Sequence, residues 1–117
     1  MMRESRWRFL AHSMDAWSAE QTWQPRADVL RSPEGWLVKI ELAGVRQEDV
    51  RLAIRDNRLH ISGVRRDTSL QQGFSYYSLE MAYSRFERIV EFPCGIDPTR
   101  VSTEYRDGIL YVKLYGS

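Results

Sequence analysis

The sequence predicts an all-β protein, folded as an antiparallel β-sandwich. Three observations lead there. From Pro25 onward, apolar and polar residues alternate at a period of two in several short runs. Clusters of turn-forming residues separate these runs at even spacing. After residue 25 no stretch shows a convincing helical period. The clearest instance is the run over residues 101–114, V-S-T-E-Y-R-D-G-I-L-Y-V-K-L. Asp107-Gly108 is a two-residue hairpin signal, because both central turn positions need positive φ. Val101, Thr103 and Tyr105 share one side of the first strand, and Leu110, Val112 and Leu114 one side of the second. A lone hairpin is marginal in water, so the rest of the chain must cover those apolar faces.

Residues 1–24 stand apart as an N-terminal arm. Trp7, Leu10, Met14 and Trp17 recur at helical spacing, with Phe9 and Trp23 nearby and Arg3, Glu4, Arg6 and Arg8 at the start. A short amphipathic helix fits this pattern. The segment either packs on the domain's own core or serves as a sticky arm for partners. A complete β-domain leaves it little core to join, which favours the second reading.

The domain itself is expected over residues 25–115, with 116–117 as a residual C-terminus. Residues 27–30 form a short strand ended by the turn cluster Ser32-Pro33-Glu34-Gly35. Trp36, Val38, Ile40 and Leu42 alternate with Leu37, Lys39 and Glu41 as a half-buried strand. Ala43-Gly44-Val45 breaks it, and Gln47-Glu48-Asp49 reads as a polar loop. Val50, Leu52 and Ile54 alternate next, turn at Asp56-Asn57, and return through Leu59 and Ile61 to Gly63 as a hairpin. Residues 64–79 begin polar and end aromatic, with a strand expected near residues 76–81. That connection is long for a hairpin, and long loops are usually functional or mobile. Phe86, Arg88, Val90 and Phe92 give a further strand, stopped by Pro93.

Composition bounds the function. The 117 residues suffice for one domain with a real core. Hydrophobic residues make up 43% and charged residues 28%, ordinary for a soluble globular protein. Lys+Arg is 17 against Asp+Glu 16, without the basic excess that nucleic acids or membrane surfaces select. Lys39 and Lys113 are the only lysines. Arginine suits paired and interface roles, and a GC-rich genome gives the same bias. Cys94 is the single cysteine, so no internal disulfide forms and a cytoplasmic location is expected. No apolar run is long enough to span a bilayer, and the first residues lack the apolar core of a secretion signal.

Four motifs stand in order: L-A-G-V (42–45), L-H-I-S-G (59–63), F-E-R-I-V-E-F-P (86–93) and D-G-I-L-Y-V (107–112). Over about residues 25–114 the chain resembles the α-crystallin domain of small heat-shock proteins. The resemblance implies an immunoglobulin-like sandwich. It also implies an ATP-independent holdase that binds unfolding proteins, keeps them from aggregating, and forms homodimers that assemble further. The long segment between Gly63 and Glu80 matches the bacterial and plant type, whose loop strand pairs with the partner subunit. Tyr76, Tyr77 and Leu79 fall at that strand, Ala27 and Val29 at its acceptor, and Arg88 at the family's dimer-stabilising arginine. Leu52, Ile54, Val101 and Thr103 fall at the edge groove that receives a neighbour's C-terminal I-x-I motif. Three differences are visible. Ala43 replaces the usual proline, Ser84 replaces a common glycine, and no I-x-I pattern follows Leu114 before Ser117. On this reading the chain alone stays small, as a dimer or a few dimers.

The remaining candidates have plain readings. Arg88 lies between Phe86 and Val90 on an apolar face, where an unpaired charge is costly; it either serves the dimer interface or snorkels to the surface. His12 and His60 lack ligand-like neighbours at metal spacing, and His60 alternates to a solvated face. Cys94 is a candidate redox thiol, yet no Lys or His adjoins it in sequence, which favours an inert thiol. The glycines form no phosphate-binding loop and no catalytic constellation is visible, so neither cofactor, metal nor enzymatic activity is expected. Trp7, Phe9, Leu10, Met14 and Trp17 are the expected client contacts. Two other readings are a sandwich adaptor of the co-chaperone type with one fixed protein partner, and an enzyme on the same scaffold.

Overall fold

The computed structural model describes residues 22–116, so the arm candidates Trp7, Phe9, Leu10, Met14 and Trp17 lie outside the described residues. Eight strands follow in order: β1 (Thr22–Trp23), β2 (Ala27–Ser32), β3 (Gly35–Glu41), β4 (Val50–Arg55), β5 (Arg58–Val64), β6 (Arg85–Glu91), β7 (Val101–Arg106) and β8 (Ile109–Tyr115). They form two four-stranded sheets, β1-β6-β5-β4 and β2-β3-β8-β7. Every pairing is antiparallel except β1 with β6, which is parallel. Residues 47–49, expected as loop, form a single 3-10 turn ahead of β4.

The period-two pattern becomes the sandwich directly. Val38 and Ile40 of β3, Leu59 and Ile61 of β5, Phe86 and Val90 of β6, and Leu110, Val112 and Leu114 of β8 all face inward and are buried. Burying each such side chain favours folding by about 1.5–3 kcal/mol. Intervening residues such as Glu87, Ile89 and Lys113 are exposed on the outer faces. The β7–β8 hairpin turns at Asp107 (φ 54°) and Gly108 (φ 77°), both positive as the Asp-Gly pair predicts. Tyr105 of β7 donates its hydroxyl to the Leu42 carbonyl at 2.7 Å, fastening this hairpin to the L-A-G-V turn.

Two expectations need correction. Residues 65–84 carry no strand, so the one expected near residues 76–81 is absent from the single chain. Among the described residues a strand there has no ladder partner. The sandwich also begins before Pro25: Thr22 and Trp23 join β6, in register with Arg85 and Phe86. Two residues are too few to show a period, so the pattern missed them.

Candidate functional site

Among the described residues each sheet has two open edges, and the edges pair up by flank. Only residues 24–26 separate β1 from β2, so these two edge strands share one flank of the sandwich. The edges β4 and β7 therefore share the other. An edge strand presents unpaired backbone N–H and C=O groups to any extended chain that can add to it.

On the β4–β7 flank, Leu52, Ile54, Val101 and Tyr105 are half-buried and pack against the core. The alternation that points Leu52 and Ile54 inward leaves them half-covered because, among the described residues, no strand lies beyond β4. Thr103 shares their flank and is exposed. The four residues assigned to a groove thus fall on two open edges of one flank.

On the β1–β2 flank, Ala27 is half-buried against the core, while Val29 (44% exposed) and Leu30 (42%) face solvent. Arg88 projects inward from β6 and is half-buried. Its Nη1 donates to the carbonyl of Pro25 at 3.1 Å. The expectation that this arginine needs a partner is met within the chain, by the segment leading into β2. The long connection over residues 65–84 exposes Phe74, Tyr77 and Met81, Tyr77 completely. Tyr76 and Leu79 are half-buried, and Tyr76 donates its hydroxyl to Asp67 and stacks on Tyr83.

Arg65, at the foot of this connection, escaped the sequence reading. Its Nε donates to the Ala43 carbonyl at 3.1 Å and its guanidinium lies 4.3 Å from the Trp23 ring centroid. No motif marks it; only the fold brings residues 23, 43 and 65 together. His60 faces the outer surface, as its alternation predicts, with Nε2 2.7 Å from Glu87 Oε2. Cys94 is a half-buried free thiol. Among the described residues no cluster of three or more His, Cys, Asp or Glu side chains could hold a metal ion. Among them, too, no helix is long and apolar enough to cross a membrane.

The Hsp20/alpha crystallin family matches residues 28–116. The chain belongs to this family. Its curated relatives include small heat shock protein C2 of Rickettsia felis, 27% identical over 97 residues that cover 83% of this chain and 63% of the relative. Small heat shock protein C4 of the same organism is 30% identical over 90 residues, covering 77% of this chain and 55% of the relative. The chain therefore spans less than two thirds of the length of these relatives. Among solved structures, heat shock protein 16.0 from Schizosaccharomyces pombe superposes with a TM-score of 0.70 at 29% identity, over 82% of this chain and 87% of that one. HSP18.5 from E. histolytica gives 0.69 at 28% identity, over 80% and 88%. The two-sheet sandwich is thus the alpha-crystallin domain, and the four sequence motifs occupy its β3 exit, β5, β6 and the β7–β8 hairpin.

Proposed function

We propose that this chain is a holdase chaperone that needs no nucleotide, binding segments of unfolding proteins and holding them out of aggregates. The observation that carries the reading is the pair of open flanks on a domain of the Hsp20/alpha crystallin family. An unfolding protein exposes extended apolar segments. An open edge offers such a segment backbone hydrogen bonds, and the half-buried aliphatic side chains beside it offer apolar contact. Leu52, Ile54, Val101 and Thr103 form the proposed groove. The aromatic residues Trp7, Phe9, Leu10, Met14 and Trp17 supply further client contact from the arm. The working unit is a homodimer in which Tyr76, Tyr77 and Leu79 of one subunit add to the Ala27–Val29 edge of the other, near Arg88. Its setting is the cytoplasm.

The test is light scattering of a heat-labile protein, warmed with and without this chain and with no nucleotide. Suppression at equimolar chain supports the holdase. A strict requirement for ATP, or no suppression, overturns it. Capture of one folded partner without suppression would instead support the adaptor reading.

A further inference from the structure

Among the described residues the least secured strand is β1. It has two residues, it pairs in parallel, and it sits at the edge of its sheet. Parallel pairing is slightly weaker per residue than antiparallel, and short edge elements open most readily. What holds β1 is the setting of Trp23. Its indole N–H donates to the Ser84 carbonyl at 3.2 Å, its ring leans on Phe86 at 5.3 Å, and the Arg65 guanidinium covers it at 4.3 Å. Arg65 is itself tied to the Ala43 carbonyl at 3.1 Å, and its backbone N–H donates to Ser84 at 3.1 Å. An aromatic seat therefore exists on the β6 edge, with an acceptor, a cationic cap and a buried ring as floor.

We propose that this β6 edge is a second strand-accepting site, and that β1 is its removable plug. When β1 leaves, the β6 edge at Arg85 is free again and Phe86, only 1% exposed with β1 in place, loses the cover of Trp23. The occupant it fits is a short extended peptide with one aromatic residue where Trp23 now sits. The seated segment of the chain itself is the template: a backbone in register with Arg85 and Phe86, and a ring that carries a donor for Ser84. Non-native proteins expose such segments. The site thus deepens the holdase reading, and its client role rests on that reading.

A disulfide staple tests the plug. Parallel neighbours lie about 4.8 Å apart, inside the roughly 4.4–6.8 Å that a disulfide spans. The full chain carrying Thr22→Cys and Arg85→Cys, with Cys94→Ser to avoid mispairing, can be oxidised to lock β1 or reduced to free it. The probe is a fluorescein-labelled peptide of residues 18–26, S-A-E-Q-T-W-Q-P-R, followed by anisotropy on warming. We expect binding to the reduced chain and its loss on oxidation. Equal binding to both forms, or to neither, overturns the proposal. A second variant guards against a misfolded staple: Arg65→Met removes the cap and keeps the stem. It should speed hydrogen exchange at Trp23 about fivefold, the size of one cation–π contact, with β3 and β8 unchanged. Unchanged exchange at Trp23 also overturns the proposal. Light scattering with citrate synthase as client separates the two claims. Peptide exchange without protection from any form supports the site and overturns the holdase reading. Equal protection from the locked and freed forms overturns the client role of the site.

Discussion

Arg88 and Pro25 are joined across the sandwich: Arg88 Nη1 donates to the Pro25 carbonyl at 3.1 Å, linking β6 to the segment that starts β2. Pro25 is fully buried, so its carbonyl depends on this donor. Replacing Arg88 with Ala leaves that acceptor unpaired and opens space between Phe86 and Val90. We expect a loss of about 1–3 kcal/mol, the desolvation cost of one buried unsatisfied group, read by urea unfolding. Lys should restore only part of it, since its compact head lacks the reach of the guanidinium fork. Chromatographic mass of the same variants reports on the proposed homodimer. A stability loss at unchanged mass would confine Arg88 to its own subunit.

Gly63 ends the L-H-I-S-G motif, and the structure supplies the reason for a glycine there. A Cβ on Gly63 would stand 2.1 Å from the Asp49 carbonyl oxygen and 2.7 Å from Phe86 Cζ. The first contact is backbone and cannot move aside without shifting β4. Gly63→Ala should therefore destabilise by about 1–3 kcal/mol or more, measured as a lowered unfolding temperature. Gly73 meets nothing within 4 Å of an added Cβ, yet its φ of 90° disfavours any side chain. Its substitution should cost less, because no neighbour has to give way.

The contrast between these glycines shows what the sequence carries. Strand identity and facing were legible wherever a run was long enough to show its period, as at Val38–Ile40 or Leu110–Leu114. The Asp107-Gly108 turn was legible because its chemistry is local. Trp23 was not, since two residues have no period. Arg65 was not either, because its contacts to residues 23 and 43 exist only after folding. The strand expected at 76–81 rested on the aromatic end of the connection and on the family resemblance, and the neighbour it needs there is a second subunit; among the described residues of the single chain no strand forms at these positions. Arg88 was half legible. Its need for a partner followed from its apolar surroundings, while the identity of the Pro25 carbonyl required the fold.

Asp97 has a carboxyl held below its ordinary value, first by the hydrogen bond from the Thr99 hydroxyl and then by that from the Thr99 backbone N–H. A depressed carboxylate contributes stability above its unfolded value, about 3.9, and that contribution disappears as pH falls through the folded value. Thr99→Val removes the larger cause, so the Asp97 carboxyl should titrate at higher pH in an NMR titration. No movement would mean that the backbone N–H, with the nearby Arg100 charge, sets it.

The last prediction concerns the connection over residues 65–84. Its two ends already meet: the Arg65 N–H donates to the Ser84 carbonyl at 3.1 Å, directly beyond the Val64–Arg85 pair of the β5–β6 ladder. A two-residue Asn-Gly turn could close that hairpin. The connection is thus far longer than the single chain needs, and it presents Phe74, Tyr77 and Met81 to solvent. The outer edge of β2 is open at the same time, with Val29 and Leu30 exposed. In a homodimer these two features answer each other, since a strand from one connection would add to the β2 edge of the other subunit. Replacing residues 66–83 with Asn-Gly should leave the β-sheet circular-dichroism signal in place. It should also convert the proposed dimer to monomer in light-scattering chromatography. The Tyr76–Tyr83 stack lies within the deleted segment, and Arg66 leaves with it, taking its 3.2 Å bond to Asp49 from the domain, so a modest loss of stability should accompany the change of mass. An unchanged dimer mass would assign the interface elsewhere. Unfolding of the shortened chain would show that the connection supports the core, and the companion variant Tyr77→Asp then decides. Tyr77 is fully exposed in the single chain, so a charge there should weaken only the exchanged strand.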